Sequence, residues 1–164
     1  MHPSLLTRRP RRGSTLSAEQ FLLFRVGGET YGLGLEGLWE VMPPEGITGL
    51  PTAAHQVCSA LAYRGHRLPL VRLAELFGVP GDRVPATAQV LLLDAPGRTL
   101  GILVDEVLDL LEVPAARIAR MPRLATTLDP RLFRGLCLRD ERAVVLLRAE
   151  GLGELADVVR FDGQ

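Results

Sequence analysis

Apolar segments recur along the whole of this chain, but each is closed within a few positions by Gly, Pro or a charged residue. Segments that short cannot supply the long amphipathic helices of a bundle. They fit strands of roughly 4–8 residues joined by tight turns. Phe21-Leu22-Leu23-Phe24-Arg25-Val26 reads as a strand and Gly27-Gly28 as its turn. Thr30 to Leu35 returns, with large residues at 31, 33 and 35, which makes a hairpin. Val57 to Arg64 and Arg67 to Leu73 form a second hairpin about Gly65-His66, with Pro69 expected at an edge or bulge. Gln89 to Leu93 and Thr99 to Val104 form a third, Asp105 to Val113 continues extended, and Leu132 to Leu138 pairs with Ala143 to Leu147. Helices are few and short: a turn at Leu38, Val41 and Met42 ended by Pro43-Pro44, Ala74 to Phe77, and Gly151 to Val159. The expected class is all-β with a few short helices, of the barrel or sandwich kind.

The organisation follows from breaks in this texture. Residues 1–19 carry Arg8, Arg9, Arg11 and Arg12 among Pro and Ser without periodicity, and are expected to be a disordered basic tail. The folded domain is expected over 20–155, divided into two β-rich halves at the breaker-rich loop 78–87, with a C-terminal tail over 156–164.

Composition excludes several activities. Formal net charge is +0, which gives no general attraction to nucleic acid or an anionic membrane. Every one of the 19 Lys+Arg residues is Arg, so a Walker lysine and a Schiff base are excluded. Cys58 and Cys137 are too few for a disulfide framework, and no run reaches the roughly 20 apolar residues of a membrane span, so a reducing cytoplasm is expected. Gly32-Leu33-Gly34-Leu35-Glu36-Gly37 matches a dinucleotide fingerprint, but its glycines lie inside a strand pattern and no long helix follows. His2, His55 and His66 have no metal-ligand spacing, Ser59 sits in no nucleophile elbow, and Asp105, Glu106 and Asp109 read as a solvated edge. The reading is of a binding protein: no enzyme, no catalytic residue, no cofactor and no metal.

Four stretches in order resemble the CheW family of chemotaxis adaptors: Phe21-Leu22-Leu23-Phe24 with Tyr31-Gly32-Leu33, Leu38-Trp39-Glu40-Val41, Tyr63-Arg64-Gly65-His66-Arg67-Leu68-Pro69-Leu70-Val71, and Gly101-Ile102-Leu103-Val104-Asp105-Glu106-Val107. The resemblance implies two small five-stranded SH3-like barrels sharing a core. It implies a scaffold that couples methyl-accepting receptors to the histidine kinase CheA in membrane-associated arrays, itself cytoplasmic, with no direct membrane insertion and no nucleic-acid partner. Receptor contact is implied at Leu38, Glu40, Val41, Met42, Arg64 and Gly65, with the apolar members lining a groove between the barrels and Arg64 offering a planar fork beside a turn. CheA's regulatory domain, a double barrel of the same kind, would meet this one end to end. The chain departs from the family at Ala62, where Asn is usual, at Arg72, where Asp is usual, at Ser59, and at Gly34 and Gly37. A reversed charge at an interface is costly, so a relative binding only receptor or only kinase is one alternative. A small barrel that binds a ligand or acts as an enzyme is another.

Overall fold

Every position of Phe21-Leu22-Leu23-Phe24 is apolar, so a strand made from it must be covered on both faces. The structure, a computed structural model, describes residues 17–48, 59–79, 84–95, 97–122 and 129–158, and it meets this requirement. Phe21 and Leu23 of strand β1 (Ala18–Val26) pack with Val113, Cys137, Val144 and Leu146. Leu22, Phe24 and Val26 point the other way, into a cluster that also holds Leu33, Leu91, Leu93, Leu100 and Ile102. Strand β7 (Gln89–Ala95) is divided likewise. Leu91 and Leu93 enter that central cluster, while Val90 and Leu92 join Leu61, Leu70, Ala88 and Leu103 in a third. Each subdomain therefore has its own interior, and a common core lies between them.

The remaining strands are β2 (Glu29–Gly34), β3 (Leu38–Met42), β4 (Ile47–Thr48), β5 (Ser59–Tyr63), β6 (His66–Arg72), β8 (Arg98–Val104), β9 (Glu106–Pro114), β10 (Phe133–Arg139) and β11 (Arg142–Leu147), with short helix α1 (Leu73–Leu76) and helix α2 (Ala149–Val158). The first sheet runs β10-β11-β2-β1-β9 and the second β3-β7-β8-β6-β5-β4. Pairing is antiparallel except at β11–β2 and β6–β8. Each sheet curls into an SH3-like subdomain without a continuous closing ladder. In the first, the chain leaving β9 returns to β10, where Ala119 and Leu136 exchange two 2.8 Å backbone bonds. In the second, β3 and β4 lie at opposite edges but are consecutive in the chain, and the Ala62 amide donates to the Gly46 carbonyl at 2.8 Å.

The β-rich class and the two SH3-like subdomains stand as the sequence implied, with several local corrections. The chain does not divide at 78–87, because strands on both sides of that loop share the second sheet. Residues 38–104 are instead inserted between β2 and β9 of the first sheet. The chain enters the insertion past Gly37, whose φ of +91° and close approach to the Asp94 carbonyl suit glycine, and leaves it at Asp105. Six strands, not five, form the second sheet. Leu38, Val41 and Met42 lie on a strand rather than a helical turn, because β7 offers a ladder along the whole segment. The expected basic tail is shortened, since Ala18 and Glu19 pair with Pro114 and Val113; residues 1–16 lie outside the described residues. The expected C-terminal tail begins too early, since α2 continues to Val158. Pro69 sits just before the β6–β8 ladder begins at Leu70, so its missing N–H costs no bond there.

Replacing a side chain shared by both subdomains should be severe. Phe24→Ala, at a fully buried site, is expected to lower stability by about 3–5 kcal/mol. Leu138→Ala, at a 76% exposed site, should stay within about 0.5 kcal/mol. Urea unfolding followed by circular dichroism checks both.

Candidate functional site

Strand β3 alternates in burial, with a register shift between Leu38 and Glu40. Leu38 is buried in the common core and Met42 packs on the interior of the second subdomain. Trp39 and Val41 face outward, 52% and 38% exposed. The apolar residues expected to line one groove are thus split, two bracing the strand from inside and Val41 outside. Val41 has a large apolar neighbour on that outer side, Trp39, which lay within the motif but was not singled out. The signal was available: it is the chain's only Trp, and it stands next to Leu38 in the same stretch.

The structure brings Glu40 and Arg64 together through a residue between them. The Tyr63 hydroxyl donates to Glu40 Oε1 at 2.9 Å, across the gap between the edge strand β3 and β5. The Arg64 guanidinium lies over the Tyr63 ring, 5.1 Å from its centroid. Arg64 and Gly65 form the two-residue turn between β5 and β6, both with positive φ (47° and 81°). A hairpin turn of this hand needs both central residues there, which glycine accepts freely and arginine does not. Arg64 is exposed and makes no ion pair among the described residues. The arrangement is an exposed cation on an aromatic plate that is itself tied to a carboxylate, beside exposed apolar side chains.

Arg72, expected to reverse a charge at an interface, is not displayed at the surface. It is 5% exposed and pairs with Glu75 at 3.0 Å. Ala62, in contrast, is exposed on β5. The acidic residues near 105 do structural work. Asp105 accepts from the Gly27 amide at 2.8 Å and so holds the β1–β2 turn, Glu106 pairs with Arg25 at 2.7 Å, and Asp109 lies 3.9 Å from Arg139. Burial pushes the Cys137 thiol up, away from the reactive thiolate. Among the described residues no group of three or more His, Cys, Asp or Glu could hold a metal ion. His2, His55 and Cys58 lie outside those residues.

A concavity of about 680 Å³ opens between the two sheets at the start of α2. Phe21, Leu38 and Leu147 contribute its apolar lining, and Glu19, Glu36, Asp94, Arg134, Arg148 and Glu150 its charges. Arg134 Nε donates to Glu19 Oε1 at 2.8 Å, and this bond holds the Glu19 carboxyl below its ordinary range. The pair therefore contributes stability above the carboxylate range of the unfolded chain and loses it as pH falls through the folded value. Glu19→Gln is expected to cost about 1 kcal/mol or less at pH 7, given solvent screening, and the gap to the parent should close below about pH 4. Denaturant midpoints measured across pH test this.

The phenol groups provide a second check. Tyr63 is raised chiefly by donating to Glu40, and Tyr31 by burial. Phenolate absorbance should therefore show both titrating above the ordinary range. Glu40→Ala is expected to bring one of them down, and Tyr63→Phe to leave only the buried one.

A family model described as a CheW-like domain matches residues 20–156, which span both sheets. The chemotaxis protein CheW of Klebsiella aerogenes is 29% identical over 140 residues, 85% of this chain and 84% of the relative. Part of the chemotaxis protein CheA of Salmonella typhimurium is 34% identical over 95 residues, 57% of this chain and 14% of that protein. The crystal structure of the scaffolding protein TtCheW from Thermoanaerobacter tengcongensis superimposes with a TM-score of 0.74 at 19% identity, covering 95% of this chain and 97% of that one.

Proposed function

Because the chain belongs to the CheW-like domain family, we propose that it is a scaffold coupling methyl-accepting chemotaxis receptors to a CheA-type histidine kinase. The family match over 20–156 carries this reading, since it takes in both subdomains and the core between them. The likeness to part of a CheA supports the kinase as partner: a kinase carrying a domain of this kind offers barrel surfaces that this chain's own barrels can meet. The role is non-catalytic and is exercised in the cytoplasm, with residues 20–155 as the working unit. Its place in the array is held through its receptor and kinase partners; among the described residues no helix is long and apolar enough to cross a membrane.

The receptor-contact residues are Leu38, Glu40, Val41, Met42, Arg64 and Gly65, and they divide the task. Val41 and Arg64 touch the receptor, Val41 against the apolar face of a helix and Arg64 toward carboxylates or carbonyls. Glu40 fixes Tyr63 and through it the plate under Arg64, Gly65 permits the turn, and Leu38 and Met42 hold β3 from inside. The burial of Arg72 removes one reason to expect a member that binds a single partner, and Ala62 keeps its place on the surface.

Pull-down against a CheA-type kinase and a receptor signalling domain tests the assignment. Capture of both supports a coupling scaffold, capture of one alone supports a member specialised for that partner, and capture of neither overturns the reading. Arg64→Glu is expected to weaken receptor binding about tenfold or more, roughly 1.4 kcal/mol. Its melting temperature should stay near the parent's, because the side chain is exposed. A loss of stability like that of a core substitution would place Arg64 in the fold instead.

A further inference from the structure

Strand β3 joins the Glu40–Arg64 face to the cleft between the sheets. Glu40 fixes Tyr63 on one side, while Leu38 and Trp39 line the cleft on the other. Trp39 and Val41 both face outward. Two residues along a strand span about 6.6 Å, and four along a helix about 6 Å. A helix lying along β3 can therefore set an apolar pair, four positions apart, on these two side chains. A half-exposed Trp is also the residue type on which binding energy concentrates.

A helix seated there also covers the near rim of the cleft, where the free charge is of one sign. Glu36 and Asp94 are exposed and form no ion pair among the described residues. The guanidiniums lining the cleft are already engaged, Arg134 with Glu19 and Arg148 with Glu150 at 3.6 Å. The backbone holds Glu36 and Asp94 near each other, since the Asp94 amide donates at 2.7 Å to the carbonyl of Gly37, next to Glu36. Open to solvent, the two carboxylates are satisfied by water. Covered by a partner, they need cations, and a partner carboxylate placed there is repelled.

We infer, resting on the receptor contact proposed for β3, that Trp39, Glu36 and Asp94 select the receptor helix by charge. Trp39 seats an apolar side chain of that helix, and Glu36 with Asp94 accept from an Arg or Lys one or two turns further on. A helix with Asp or Glu at that place is turned away.

Two fluorescein-labelled helical peptides test this against the full chain by anisotropy. Both carry Leu at two positions four apart; one and two turns beyond them, one peptide has Arg and the other Glu. At low salt the Arg peptide should bind about tenfold tighter or more than the Glu peptide, and the gap should narrow toward 1 M NaCl, where the screening length falls to about 3 Å. Glu36→Gln together with Asp94→Asn should bring the two peptides level, with an unchanged circular dichroism spectrum, since both side chains are exposed. Trp39→Ala should weaken the Arg peptide about tenfold. Equal binding of the two peptides by the parent, or no binding of the Arg peptide, overturns the inference. So does an undiminished affinity in Trp39→Ala, or a preference that survives in the double variant and so belongs to other carboxylates. Capture of a receptor signalling domain equally by parent and double variant strikes the charge selection and leaves the receptor role standing. A parent that prefers the Arg peptide but captures no receptor domain strikes the receptor role alone.

Discussion

Strands β1 and β7 are apolar on both faces, and the rest of the molecule is arranged around covering them. The side-chain period of two sends Phe21 and Leu23 into one subdomain, Val90 and Leu92 into the other, and Phe24, Leu91 and Leu93 into the core between. A one-residue slip of either strand would exchange the contents of two interiors, so register is fixed by volume as well as by hydrogen bonds. Two subdomains too small to bury much surface alone thereby share one large cluster. The Glu40–Tyr63–Arg64 face inherits its rigidity from this arrangement, because Leu38 and Met42 fasten β3 from beneath.

The crossings between sheets are where local sequence has its strongest structural task. Gly37 turns the chain into the second sheet with a positive φ, and the Asp94 amide bonds to its carbonyl at 2.7 Å. Asp105 brings the chain back, its side chain accepting from Gly27 and its amide donating to the Arg25 carbonyl at 2.9 Å. One aspartate thus fastens the β1–β2 turn to the exit of the inserted subdomain. Arg72 shows the opposite case, a charge taken inside and matched by Glu75 one helical turn on.

The class of the fold was legible from the short apolar runs and their turns. The hairpin of β5 and β6 was legible too, but its turn was placed at Gly65-His66, one position late, because only the pairing of Tyr63 with His66 puts it at Arg64-Gly65. The insertion was not, since β1–β9 and β2–β11 join residues more than seventy positions apart and no local pattern encodes such pairing. The segment Leu38–Met42 misled because apolar residues at 38, 41 and 42 satisfy helical spacing, and only the ladder on β7 decides for a strand. At the candidate site, residue types were readable but orientation was not. Leu38 and Met42 against Val41 is a difference of strand face and bulge position, and Tyr63 gains its part only when β5 is brought across from β3.

The insertion of residues 38–104 within the first sheet also bears on how the chain is built. As synthesis proceeds from the N-terminus, the strands of the second subdomain emerge together and can pair while β1 and β2 still lack their outer neighbours. The first sheet gains β9 only when residues 106–114 appear, and its last strand only when Leu147 does. The subdomain in the middle of the chain is thus the first that can be completed, and the one containing the N-terminal strands is the last. Until then the β1–β2 hairpin, apolar on both faces, waits with its edges unpaired, the interval in which a nascent chain of this topology is most open to wrong pairing.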